Sequence, residues 1–132
     1  MNVGEELAPL ARVVTREDIR AYANVSGDRN PLHLDDDMAR AAGFDGLIAH
    51  GMFTMAHMAT CVVAWGGDGA FVERISAQFR APVSPGDTII AGGRVRSIDG
   101  ERVTVDAWVE LQRNDQKEWP VRKGEVVLVL AP

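Results

Sequence analysis

The stretch GMFTMAHMATCVVAW, residues 51–65, is apolar on nearly every side. Strong helix formers open it, and a helix without a polar face is one that other elements bury all round. At about 15 residues it is too short to cross a bilayer. Gly66 and Gly67 follow, and beyond them the apolar period becomes two. Ile75, Ala77 and Phe79 share one strand face, and Val103, Val105, Ala107, Val109 and Leu111 share another. Ser84-Pro85-Gly86-Asp87 and Asp99-Gly100 are turn sequences, the second placed between IIAGGRVRSI and ERVTVDAWVEL as a hairpin connection. A last strand, GEVVLVL, follows a polar turn near Asn114-Asp115. The expected architecture is α+β, a long buried helix covering one face of an antiparallel meander.

Upstream, Thr15 and Asp18 have the spacing of a capping box, with Asp in place of the usual Glu or Gln. Ile19, Tyr22 and Ala23 then share a helical face until Ser26-Gly27. Asp35 can cap a second short helix with Asp36 and Asp37 in its first turn, Arg40 in its last and Gly43 as terminator. The acidic run DDD thus has a structural explanation.

The chain has 132 residues, 46% of them hydrophobic and 25% charged, which is the content of one domain spanning 1–132. Its net charge of −5 offers no positive field for phosphate backbones or anionic lipid, so neither nucleic acid nor membrane is an expected partner. The first residues, MNVGEELAPL, lack the basic and apolar runs of a signal peptide, and a cytoplasmic location is expected. Cys61, the only cysteine, sits among apolar neighbours and reads as a buried thiol.

Between the first two helices lies SGDRNPLH, residues 26–33. Pro31 disfavours helical geometry at Asn30 and supplies no amide of its own, so Asp28 and His33 form a loop pair. Five residues apart on a loop, they can converge, whereas on a helix they would diverge by roughly 140°. A carboxylate and an imidazole sharing one water can divide the handling of its protons, and the Asn30 amide can orient either group or a ligand. Alone, Asp28 after Gly27 more often closes an Asx turn, and a lone loop histidine is more often a hydrogen-bonded brace.

The whole pattern resembles the hydratase motif of MaoC-like (R)-specific enoyl-thioester hydratases and dehydratases. The resemblance is carried by YANVSGDRNPLHLDDDMARAAGF, by LIAHGM and by QFRAPVSPGDTI, across the first two thirds of the chain. It implies a hot-dog fold and reversible syn addition of water to a trans-2-enoyl thioester of coenzyme A or an acyl carrier protein, giving an (R)-3-hydroxyacyl thioester. Carried over by position, the catalytic pair falls on Asp28 and His33, the supporting amide on Asn30 and the oxyanion donor on the Gly51 backbone. Independent physics agrees for Gly51, since a helix N-terminus presents free amides and the positive end of its dipole. The family often has proline where Leu47 stands here. The resemblance also implies a dimer with the acyl tunnel near the subunit interface, either a homodimer or a heterodimer with a similar subunit. Exposed edges on the last two strands give the same expectation.

Other readings remain beside this one. A hot-dog thioesterase would direct water at the thioester carbonyl, and a heterodimeric dehydratase would use this chain as its catalytic subunit. No cofactor and no metal are expected: His50 reads as a cap or brace of its loop, and His57, about two turns along, has no zinc-ligand spacing to a partner. Trp65, Trp108 and Trp119 read as core or interface residues.

Overall fold

The computed structural model describes residues 1–132. In chain order the elements are β1 (Leu10–Val13), α1 (Arg16–Ser26), a 3-10 turn (Pro31–His33), α2 (Asp36–Ala41), α3 (Gly51–Gly66), β2 (Phe71–Phe79), β3 (Thr88–Asp99), β4 (Arg102–Arg113) and β5 (Gln116–Val129). One five-stranded antiparallel sheet has the order β1-β3-β4-β5-β2. The molecule is α+β, with α3 packed against the sheet.

Local chemistry explains most boundaries. Thr15 accepts from the Asp18 amide and Asp18 accepts from the Thr15 amide, the reciprocal capping box expected for α1. Gly27 ends that helix in the left-handed region, at φ 80°, where a side chain would be strained. Asp35 caps α2 through the amides of Asp37 and Met38. Both residues of the Asn114-Asp115 loop have positive φ, the geometry that matches the twist of a two-residue hairpin.

The core lies between α3 and the inward face of β3, β4 and β5. Val103, Val105, Ala107, Val109 and Leu111 are all buried, as their alternation predicts. Met58 and Val62 of α3 join them in one cluster with Val126 and Leu128 of β5. A Cβ at Gly124 would stand 2.8 Å from Met58 Sδ, so glycine there lets the helix settle onto β5. Cys61 is buried, and burial pushes its thiol pKa up.

Four expectations are corrected. The meander covers only β3, β4 and β5; β2 crosses to pair with β5, because β3 already has β1 on its other side. Consequently β4 and β5 are interior strands, and the sheet edges are β1 and β2. The helix α3 is not buried all round, since Met52, Ala56, Thr60 and Ala64, four residues apart, form an exposed stripe opposite the sheet. β5 starts at Gln116 rather than near Gly124; Pro120 and the register shift between Val109 and Leu111 hide its first half from any period-two pattern. The three tryptophans are half-buried, and Trp65 donates to Glu5 at 3.0 Å. No helix is long and apolar enough to cross a membrane.

Candidate active site

Three segments distant in sequence meet at the N-terminus of α3. The Ile48 amide donates to Leu32 O at 3.0 Å, and His33 Nδ1 lies 2.7 Å from Ile48 O. The Ala49 amide donates to Val83 O at 2.8 Å, which ties in the β2–β3 connection. The Leu47 amide donates to Asp36 Oδ1 at 3.0 Å, a bond that proline at this position would forgo. The Arg16 guanidinium and that amide hold the Asp36 carboxyl below the usual carboxylate range.

A carbonyl oxygen only accepts, so the His33 ring must carry its proton on Nδ1. Nε2 of the neutral ring then bears the lone pair and is the atom able to take a proton. His50 is 2% exposed and has the opposite arrangement: its Nε2 donates to the Asp28 carbonyl at 2.9 Å, and its Nδ1 is buried without a partner. The two rings stack, with centroids 3.8 Å apart and planes 24° from parallel. His50 is further enclosed by Tyr22, at 4.9 Å between ring centroids. It braces the loop and makes no side-chain cap on α3.

Asp28 and Asn30 each perform a structural task. Asp28 Oδ1 accepts from the Asn30 amide at 3.2 Å, so the Asx turn is present, and Asn30 Oδ1 accepts from the Leu32 amide at 3.0 Å and caps the turn that carries His33. The Asn30 side-chain NH2 makes no hydrogen bond within the chain. Asp28, His33 and His50 each offer one ligand atom within 4.8 Å of the other two. Imidazole lone pairs lie in the ring plane, and two nearly parallel stacked planes aim them side by side instead of at one common ion. That geometry suits a water between Asp28 and His33 better than a tetrahedral metal. His57 takes no part in the cluster: its Nε2 lies 2.8 Å from Leu10 O, and burial holds its pKa down.

Gly51 is the first residue of α3, and its amide has no partner within the chain. Beside it opens a pocket of about 280 Å³ lined in part by Ile48, Thr54, Phe79, Arg80 and Pro120. A Cβ at Gly51 would meet the Phe79 ring at 3.2 Å, so the space in front of this amide is shared with that ring. The candidates expected from the sequence, Asp28, His33, Asn30 and Gly51, lie together around the start of α3. The link from His50 to Asp28 was missed, and only the sequence adjacency of His50 to Gly51 could have hinted at it.

Comparison with known proteins places this sheet, helix and loop cluster in a family. The MaoC like domain matches residues 2–115, and the chain belongs to that family. The (R)-specific enoyl-CoA hydratase of Rhodospirillum rubrum is 34% identical over 96 residues, covering 72% of this chain and 67% of that protein. The mitochondrial 3-hydroxyacyl-[acyl-carrier-protein] dehydratase of Arabidopsis thaliana is 41% identical over 98 residues, 74% of this chain. This chain spans 57% of that protein's length. Among solved structures, the (R)-hydratase of A. caviae involved in PHA biosynthesis superposes with a TM-score of 0.89 at 27% identity, over 99% of this chain and 98% of that one. The hot-dog fold expected from the motif is therefore established.

Proposed function

We propose that this chain is a hydro-lyase that adds water reversibly to a trans-2-enoyl thioester and yields the (R)-3-hydroxyacyl thioester. The observation that carries the reading is the convergence of the Asp28 carboxylate and the His33 ring beside an unpartnered helix N-terminus at Gly51. A water held between Asp28 and His33 gives a proton to His33 Nε2 as its oxygen bonds to C3. The C2–C3 π electrons move into the thioester as enolate, whose oxygen is held by the Gly51 N–H and the positive end of the α3 dipole. His33 then returns the proton to C2 on the same face, which makes the addition syn and restores both groups. Dehydration is the same path reversed. His50 keeps the Asp28 backbone and the His33 ring in register, and the Asn30 NH2 is free to hold the water or the substrate. Hydration of crotonyl-CoA, followed by loss of enoyl absorbance, tests the assignment.

The working unit is a dimer, either of two copies or with a closely similar subunit. Both edges of the sheet, β1 and β2, are without a partner strand, and β2 carries Phe71 and Phe79 at 56% and 49% exposure. Apolar side chains on an open edge invite a second strand, and the dyad stands at the surface of the single chain, where a second subunit would wall off the water. Sedimentation equilibrium at micromolar concentration is expected to give twice the chain mass. A fully active species of 14.3 kDa would contradict the dimer.

A further inference from the structure

Fourteen lysines and arginines are present, and nine have a carboxylate within 4.0 Å. Of the five that do not, three meet in one place. Arg80, Arg122 and Lys123 line an open recess of about 450 Å³ together with Trp119, Ala81 and Glu118. The only carboxylate there, Glu118, is already engaged by Arg113 at 3.0 Å. The nearby Glu125 is engaged by Arg96 at 2.7 Å and by Arg74 at 3.5 Å. Arg80 has a neutral partner, Gln78 Oε1, at 2.7 Å. The Arg122 guanidinium lies 5.7 Å from the centre of the Trp119 ring, a contact that steadies the cation without neutralising it. In a chain of net charge −5, a group of three uncompensated cations is a local field that an anion can find.

The recess adjoins the pocket at Gly51. Arg80 and Ala81 line both, and the Arg80 amide donates to Pro120 O at 2.9 Å where the two meet. A ligand with its acyl thioester at Gly51 can therefore extend past Arg80 into the cationic recess. A coenzyme A thioester has that form: a reactive thioester at one end, an uncharged arm, and a nucleotide with a pyrophosphate and a 3′-phosphate at the other. A carrier protein's arm has a single phosphodiester, which leaves most of three cations unmatched. We propose that Arg80, Arg122 and Lys123 bind the phosphates of the coenzyme A nucleotide and make this chain selective for coenzyme A thioesters. The thioester end rests on the hydratase reading; the phosphate end does not.

Two measurements on the full chain separate the claims. In titration calorimetry, free coenzyme A and adenosine 3′,5′-bisphosphate bind the wild type, and Arg122→Glu/Lys123→Glu weakens both by at least about 10-fold, as loss of charge-assisted contacts requires. In turnover, the ratio of kcat/KM for crotonyl-CoA over crotonyl-pantetheine falls by a similar factor, through KM, and rising salt lowers it in the wild type. Arg20→Glu, at an unpaired cation on α1, keeps the ratio. If charge reversal harms folding, judged by circular dichroism, Arg80→Gln and Arg122→Gln replace it with the same expectation. An unchanged ratio and unchanged coenzyme A binding in these variants overturn the site. So does a wild type that turns over crotonyl-pantetheine as well as crotonyl-CoA and prefers a crotonyl carrier protein. Binding that depends on Arg122 and Lys123 without any turnover upholds the site and sinks the hydratase reading.

Discussion

His33→Ala and Asp28→Asn are each expected to reduce crotonyl-CoA hydration by at least about 100-fold, the lower end of what a positioned acid or base supplies. The two variants remove different things. His33→Ala deletes the nitrogen that accepts the proton and one loop bond, to Ile48 O, while the backbone bond from the Ile48 amide to Leu32 O still ties the loop to the start of α3. Asp28→Asn keeps an oxygen able to accept from the Asn30 amide, so the turn survives and only the negative charge is lost. Asp28 is exposed and His33 only half-buried, so circular dichroism should be unchanged in both. The double variant should be little worse than the poorer single one, because two groups acting on one water behave as a unit. A chelator should leave the wild-type rate alone; loss of rate restored by zinc would instead assign Asp28, His33 and His50 to a metal. Near-normal turnover in either single variant would remove the dyad from the mechanism.

Gly51→Pro is the second large effect, expected to lower kcat by about 100- to 1000-fold, the cost of losing one oxyanion donor. The substitution is unusually clean here. Proline is favoured at the first position of a helix, and the preceding His50 already has φ −64° and ψ 139°, which a following proline accepts. The helix should therefore keep its start while the one proposed donor disappears. The new ring atoms crowd Phe79, which is 49% exposed and can give way. Gly51→Ala is the control: its Cβ meets Phe79 as the Cβ of proline does, and it retains the N–H. If both variants lose activity equally, shape rather than donation is at stake at this position.

Much of this architecture was legible because it rests on local chemistry. The Thr15–Asp18 box, the Asp35 cap, the Pro31 break and the buried alternation from Val103 to Leu111 each involve residues close in sequence, and all appear as read. What was not legible depends on distant pairing. β1 has four residues, too few for a period, and exists because β3 accepts it as an edge partner. The crossing of β2 to β5 leaves no trace in either strand's own pattern. The outward stripe of α3 was hidden because its residues are as apolar as those that face the sheet. At the site, the motif named the candidate side chains, but not the His33 tautomer. That follows from Ile48 O, fifteen residues away; His50 was read as a brace of its loop, and only its partner there, the Asp28 carbonyl, was hidden.

Delivery of the water held by Asp28 and His33 to C3 of an enoyl thioester fixes the product. The direct measurement is to incubate the purified chain with crotonyl-CoA, follow the enoyl absorbance, and resolve the product by chiral chromatography alongside a thiol assay. Loss of absorbance, accumulation of (R)-3-hydroxybutyryl-CoA and no free thiol are expected. Release of coenzyme A with the C2–C3 double bond intact would contradict the hydratase reading, since water would then have attacked the thioester carbonyl.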